Sequence, residues 1–300
     1  MEQQEPRRRR RLCVCTRIHQ NNADRPVDLA KVREFLNTVL LYADSVAIAV
    51  GSPPPKTGRE NGPDPHEEQP PPQPTLMQLI SRAAREAESE QARPYIEGEA
   101  SREGKEGEER TAAIVSVFEV APWGKFTPAL NALVGFAARD GAELVMFQSL
   151  ETTVGKDTVS SMEVHMEPGD LVVGAALTGH AFQGGQTVEL TGVTTPWNTL
   201  ALWDVTKLAK SGFLGVAEGL LPGVPAGVEE VTAIAALQAL LGQENARAKL
   251  VRLPQVRWQT AWEDEGRRQW HESKMSSKLE RADKQMAALG IKKGTVVHLE

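Results

Sequence analysis

Residues 12–50, LCVCTRIHQNNADRPVDLAKVREFLNTVLLYADSVAIAV, read as strand, helix, strand. Leu12 to Arg17 is short, apolar and β-prone. From Val27 to Tyr42, the residues Leu29, Val32, Leu36, Val39 and Leu40 recur at the spacing that gathers them on one helical face. Asp24 and Pro26 supply helix-start signals ahead of them. Ser45 to Val50 is a second β-prone run, stopped by Gly51 and Pro53. Two apolar strands joined by an amphipathic helix make a βαβ unit, whose crossover leaves the strands parallel.

The same pattern returns downstream. Ala112 to Val120 reads as a strand, Phe126 to Arg139 as a helix, and Ala142 to Phe147 as a strand. Leu171 to Leu177 is a further strand, and Val188 to Leu190 is too short to assign. Leu200 to Ser211 has helical character, with Gly212 as its closing glycine. Val228 to Leu241 is a strongly apolar helix. Leu250 to Trp258 reads as an edge-like strand interrupted by Pro254, and Trp270 to Leu289 as a charged amphipathic helix ended by Gly290. The expected class is α/β: a mostly parallel central sheet with flanking helices, in one domain spanning residues 12–51 and 111–300.

Between these parts, residues 52–110 change character. Prolines cluster at Pro53 to Pro55 and Pro70 to Pro72, and Glu, Gly and Arg dominate after Glu86. Such a stretch buries too little apolar area to offset its ordering entropy, so a largely disordered insertion is expected, with a short helix around Leu76 to Ala92. Residues 1–11 read as a basic tail, because Arg7 to Arg11 is a like-charge block. The net charge of −6 speaks against a nucleic-acid-binding face. No apolar run reaches the roughly 18 residues of a membrane span, and no signal peptide is recognisable. The two cysteines, Cys13 and Cys15, alternate with Leu12 and Val14, so they share one strand face. Buried free thiols in a reducing compartment are the expected state, and a cytoplasmic location follows from it.

In open parallel sheets, ligands bind beyond the carboxyl ends of the strands. One such end carries Trp123-Gly124-Lys125-Phe126 ahead of a helix. Lys125 beside the first N–H groups of that helix suits a phosphate, although a plain loop fits equally. Another is the run Glu143 to Glu151, which closes a buried strand with Gln148, Ser149 and Glu151. A carboxylate there either holds a divalent ion, manganese or magnesium, that bridges a diphosphate, or is a solvated strand-end acid.

With the first βαβ unit, residues 112–151 resemble the nucleotide-binding half of GT-A glycosyltransferases, the nucleotide-diphospho-sugar transferase fold. Asn131, within Pro128-Ala-Leu-Asn-Ala-Leu, is similar to the asparagine that the inverting enzymes carry on the helix before their Asp-x-Asp motif. Gln148-Ser-Leu-Glu151 stands where Asp-x-Asp is expected. Thr16 and Arg17 stand where the family meets the base and ribose, although Arg17 also fits an ordinary surface charge. Val172 to His180 resembles the strand lining the sugar site, which implies sugar contacts for Gly179 and His180. A lone histidine at such a strand end is more often structural. Thr195 to Trp203 resembles the acceptor-side segment and brings in Trp197 and Asn198, with a core role open for the tryptophans. Glu229-Glu230 opens a helix where the family has Glu-Asp with its catalytic base. The same pair also suits a helix amino terminus through its dipole.

The resemblance implies transfer of a sugar from a nucleotide-diphosphate donor to an unknown acceptor, or a binding protein that has lost the metal motif. It lacks a strict Asp-x-Asp and a Gln-x-x-Arg-Trp, since Gln255-Val-Arg-Trp258 is one residue short. On the C-terminal helix, Arg267, His271 and Lys274 share a face that would reach a leaving diphosphate or, equally, solvent.

Overall fold

The computed structural model describes residues 8–20, 27–51, 74–92, 113–258 and 277–300. Its first half alternates strand and helix: β1 (Leu12–His19), α1 (Leu29–Val39), β2 (Ser45–Gly51), α2 (Leu76–Ala92), β3 (Ile114–Glu119), α3 (Thr127–Arg139) and β4 (Leu144–Gln148). The short β5 (Thr152–Thr153) and α4 (Lys156–His165) follow, then β6 (Asp170–Ala175), β7 (Thr187–Glu189), β8 (Leu200–Asp204) and α5 (Val205–Leu208). The chain ends with α6 (Glu229–Leu241), β9 (Arg247–Val251), β10 (Arg257–Trp258), α7 (Lys278–Leu289) and β11 (Thr295–Leu299).

Nine strands form one sheet in the order β3-β2-β1-β4-β8-β6-β9-β11-β7. Seven run one way, while β8 and β7 are antiparallel to their neighbours. The mostly parallel α/β expectation therefore holds. Every residue of β2, β4 and β6 is buried, as strands covered on both faces require. Side chains of α1, α2 and α4 pack with Leu12, Val14 and Met146 on one face. Those of α3, α5, α6 and α7 pack with Cys13, Cys15 and Phe147 on the other. Both cysteines are buried free thiols, with Sγ atoms 3.7 Å apart.

Several expectations need correction. Leu200–Asp204 is strand β8, seated between β4 and β6, and only one turn of helix, α5, follows it. A short apolar run does not separate strand from buried helix by periodicity alone. The strand expected over Leu250 to Trp258 is Arg247–Val251, interior between β6 and β11, whereas Arg257–Trp258 pairs separately with β5. β11 and α4 were not anticipated. The cap of α1 is Asp28, whose side chain accepts from Ala30 and Lys31 N–H at 3.0 and 3.2 Å. Asp24 and Pro26 lie outside the described residues.

The helix expected around Leu76 to Ala92 is present as α2, and the basic tail read as disordered is tied to the fold from Arg8 onward. Within 52–110, α2 buries Leu76, Ile80, Ala83, Ala84 and Ala87 against α1 and β3, and the rest of that stretch, apart from residues 74 and 75, lies outside the described residues. At the basic tail, Arg8 pairs with Glu143, Arg9 with Asp44 and Arg11 with Asp140. Arg10 donates to the Met166 carbonyl at 2.6 Å. Residues 1–7 are outside the described residues, as are Arg267, His271 and Lys274. No helix among the described residues is long and apolar enough to cross a membrane.

Candidate functional site

The strand order reverses at β1: the chain builds outward through β2 and β3, then returns so that β4 lies on the other side of β1. Open α/β sheets bind ligands at such a switch, beyond the strand carboxyl ends. A cleft of about 440 Å³ opens there. Thr16 and Arg17 enter it from β1, and Gln148, Ser149 and Glu151 from the end of β4. Trp197 and Asn198 reach it from the loop before β8, and Glu229 and Glu230 from the start of α6. The sequence places these residues far apart, and the fold brings them to one wall.

The two glutamates sit in different surroundings. Glu229 is buried and faces Arg17 at 3.5 Å. Glu230 is buried as well, and its Oε1 accepts the Asn198 N–H at 2.6 Å. Burial above all, then the adjacent Glu229 charge, pushes the Glu230 pKa up to about 7, against the pull of that N–H. Val228, which precedes them, has a φ of 52°, a left-handed conformation that a β-branched residue rarely adopts. Strain of this kind clusters at functional sites.

Asn198 is held on two sides. Its backbone N–H goes to Glu230, and its Oδ1 accepts the Trp203 indole N–H at 3.0 Å. The indole fixes which way the amide points, since the Nδ2 group has no acceptor lone pair to offer it. Asn198 Nδ2 is buried and has no hydrogen-bond partner among the described residues. Trp197 is buried, donates its indole N–H to the Gly192 carbonyl, and carries the Lys278 ammonium 2.9 Å from its ring centre.

Four expected residues do other work. Lys125 is exposed, and the N–H groups of Lys125, Phe126 and Thr127 at the start of α3 all donate to the Glu218 carboxylate. An internal anion thus fills the predicted phosphate cradle. Burial raises the Glu218 pKa, but the three N–H groups outweigh it and the net shift is downward. Gly124 beside it has a φ of +66°, and a Cβ there would meet Glu218 Oε2 at 2.7 Å. Asn131 spends its amide on the backbone of Phe213, accepting its N–H at 2.7 Å and donating to its carbonyl at 2.9 Å. Gly212 passes so close that a Cβ would lie 2.6 Å from Asn131 Oδ1. Gly179, with a φ of +96°, makes the turn that lets His180 N–H reach the Leu177 carbonyl. His180 stacks on Trp197 with ring centres 3.6 Å apart, its Nδ1 accepts the Leu177 N–H, and its Nε2 meets the Thr195 carbonyl. It is a structural histidine behind the wall, not a cleft residue.

The donor set fits a divalent ion poorly. Glu151 accepts the Ser149 hydroxyl, and the Gln148 amide is shared between the Tyr42 hydroxyl and the Thr152 carbonyl, each at 2.9 Å. Among the described residues no group of three His, Cys, Asp or Glu is arranged to hold a metal. Hard cations take six or more oxygen ligands, and Glu151 with a hydroxyl supplies too few.

The cleft contains cations that the sequence reading missed. Lys278 and Arg281 line it from α7. Their spacing of three places them on one helical face, a signal present in the expected C-terminal helix. A second cleft, about 620 Å³, adjoins the first and shares Leu150, Glu151 and Trp258 with it.

The chain matches no protein-family model and no curated protein. Among solved structures it is similar to the crystal structure of a mycobacterial protein, at 8% identity and a TM-score of 0.47, over 96% of this chain and 84% of that one.

Proposed function

We propose that the protein is a nucleotide-diphospho-sugar transferase of GT-A type that moves a sugar from a nucleoside-diphosphate donor to a hydroxyl acceptor. The observation that carries this reading is Glu230, a buried carboxyl with a pKa of about 7 in the cleft at the β1–β4 switch. A base with that value is part-ionised at neutral pH and still strong enough to take a proton. In the transfer, Glu230 removes the proton of the acceptor hydroxyl as its oxygen attacks the anomeric carbon. The bond to the diphosphate oxygen breaks, and that oxygen leaves with the electron pair. The adjoining clefts, which share Glu151, suit two substrates that meet at one boundary. The free thiols Cys13 and Cys15 fit work in the reducing cytoplasm.

Thermal-shift titration with uridine and guanosine diphosphates tests the site. A rise in Tm with either is expected, and no shift with both sinks the proposal. A binding protein without turnover is the second reading, favoured by the poor metal donor set and the Glu218-filled α3 terminus. Release of nucleoside diphosphate from a nucleotide sugar, lost in Glu230→Ala, decides for the enzyme.

A further inference from the structure

Building on the transfer reading, we propose that the cleft's own cations, Lys278, Arg281 and Arg17, neutralise the diphosphate, so that a nucleoside diphosphate binds without a divalent metal. Lys278 and Arg281 stand one turn apart on α7, and both line the cleft. Lys278 is nearly fully buried, with its ammonium fixed over the Trp197 ring. Arg281 uses one Nη on the Ala226 carbonyl at 3.3 Å, and a guanidinium has five N–H donors to distribute. Arg17 reaches the same space from β1, where its Nη1 donates to the Phe126 carbonyl at 3.2 Å.

The carboxylates of the cleft are engaged differently. Glu151 receives the Ser149 hydroxyl, Glu229 faces Arg17, and Glu230 receives the Asn198 N–H. None of these pairings gathers oxygen ligands around a common point, as a hard cation demands. Cationic side chains on two elements provide the same charge compensation with directed donors, and arginine does so with two parallel N–H bonds to phosphate. Asn198 Nδ2, a buried donor whose direction is fixed by Trp203, adds a neutral hydrogen bond for an oxygen of the same ligand.

Isothermal titration of the full chain with uridine and guanosine diphosphates, in EDTA and again in manganese chloride, tests this. The expected result is binding of one diphosphate with the same affinity in both buffers, weakened about tenfold in Arg281→Gln and again in Lys278→Gln. Arg281 is part-exposed, so its variant reports even where replacing the buried Lys278 harms folding. Binding that appears only with manganese overturns the proposal and leaves the transfer reading standing. Binding in EDTA that both variants leave unchanged overturns the assignment of the cations. Failure of both diphosphates in both buffers removes the transfer reading itself.

Discussion

Glu230 is where one side chain carries the most consequence. Its ordinary carboxyl pKa of 4.5 is raised to about 7, chiefly by burial and next by the Glu229 charge. A carboxyl raised in the folded state adds stability that is complete below 4.5 and lost as pH climbs through 7. A displacement of that size corresponds to ~3 kcal/mol. Glu230→Gln keeps an oxygen for the Asn198 N–H but cannot ionise. Its Tm is therefore expected to match wild type near pH 4.5 and to exceed it by several degrees at pH 8. Under the proposed transfer reading, the activity of the same variant falls by about 100-fold or more, as loss of a general base requires. Identical Tm profiles for the two proteins from pH 4.5 to 8 would show that the carboxyl is not held in this state. The residue types at the cleft were legible from strand ends and helix starts, Glu151, Glu229 and Glu230 among them. What each atom does was not. Asn131 and Lys125 are plausible ligands by type, yet one is consumed by the Phe213 backbone and the other's helix start by Glu218, more than eighty residues along the chain.

At the scale of elements, α2 was legible inside a stretch whose overall composition reads as disordered. Across residues 52–110, proline, glycine and glutamate surround a helix whose buried residues recur three and four apart. A reciprocal cap was also readable: Thr75 N–H donates to Gln78 Oε1 at 2.9 Å, and Gln78 N–H to Thr75 Oγ1 at 3.2 Å. The helix is tied to its neighbours by Arg33–Glu86 toward α1 and by the Val115 N–H to Glu88 toward β3. Ile80, fully buried between them, is expected to cost about 2–5 kcal/mol when changed to alanine. Arg82→Ala, which removes an exposed pair with Glu86, changes stability by less than about 1 kcal/mol. Urea midpoints of the two variants check this, and equal midpoints would remove α2 from the folded unit. β8 failed to be legible for the opposite reason. Leu200 to Trp203 is apolar on both faces because both faces are covered, so no period marks it.

For the molecule as a whole, the cleft wall depends on contacts between the segment before β8 and the far edge of the sheet. Buried His298 of β11 meets the Thr194 carbonyl at 3.0 Å, and His180 meets the next carbonyl, Thr195, also at 3.0 Å. Trp197 and Asn198 follow at once, so two neutral imidazoles fix the backbone that presents the cleft. Burial lowers both pKa values, that of His180 to about 3, even though backbone contacts to Leu177 and Thr195 pull it upward. A histidine depressed in the folded state gives stability that is complete above its ordinary 6.5 and drains away as pH falls toward the folded value. Glu230 works the other way between 4.5 and 7, so the acid limb falls to the two histidines together with carboxyls held low, such as Glu218. The Tm of wild type is expected to fall below about pH 5, with the wall segment loosening before the sheet. In His180→Gln, which carries no titrating group there, the neutral-pH Tm drops while the acid slope flattens. Hydrogen exchange across residues 191–200 at pH 7 and pH 5 reads the wall directly, and uniform loss of protection over sheet and wall together would show that the imidazoles do not hold it separately.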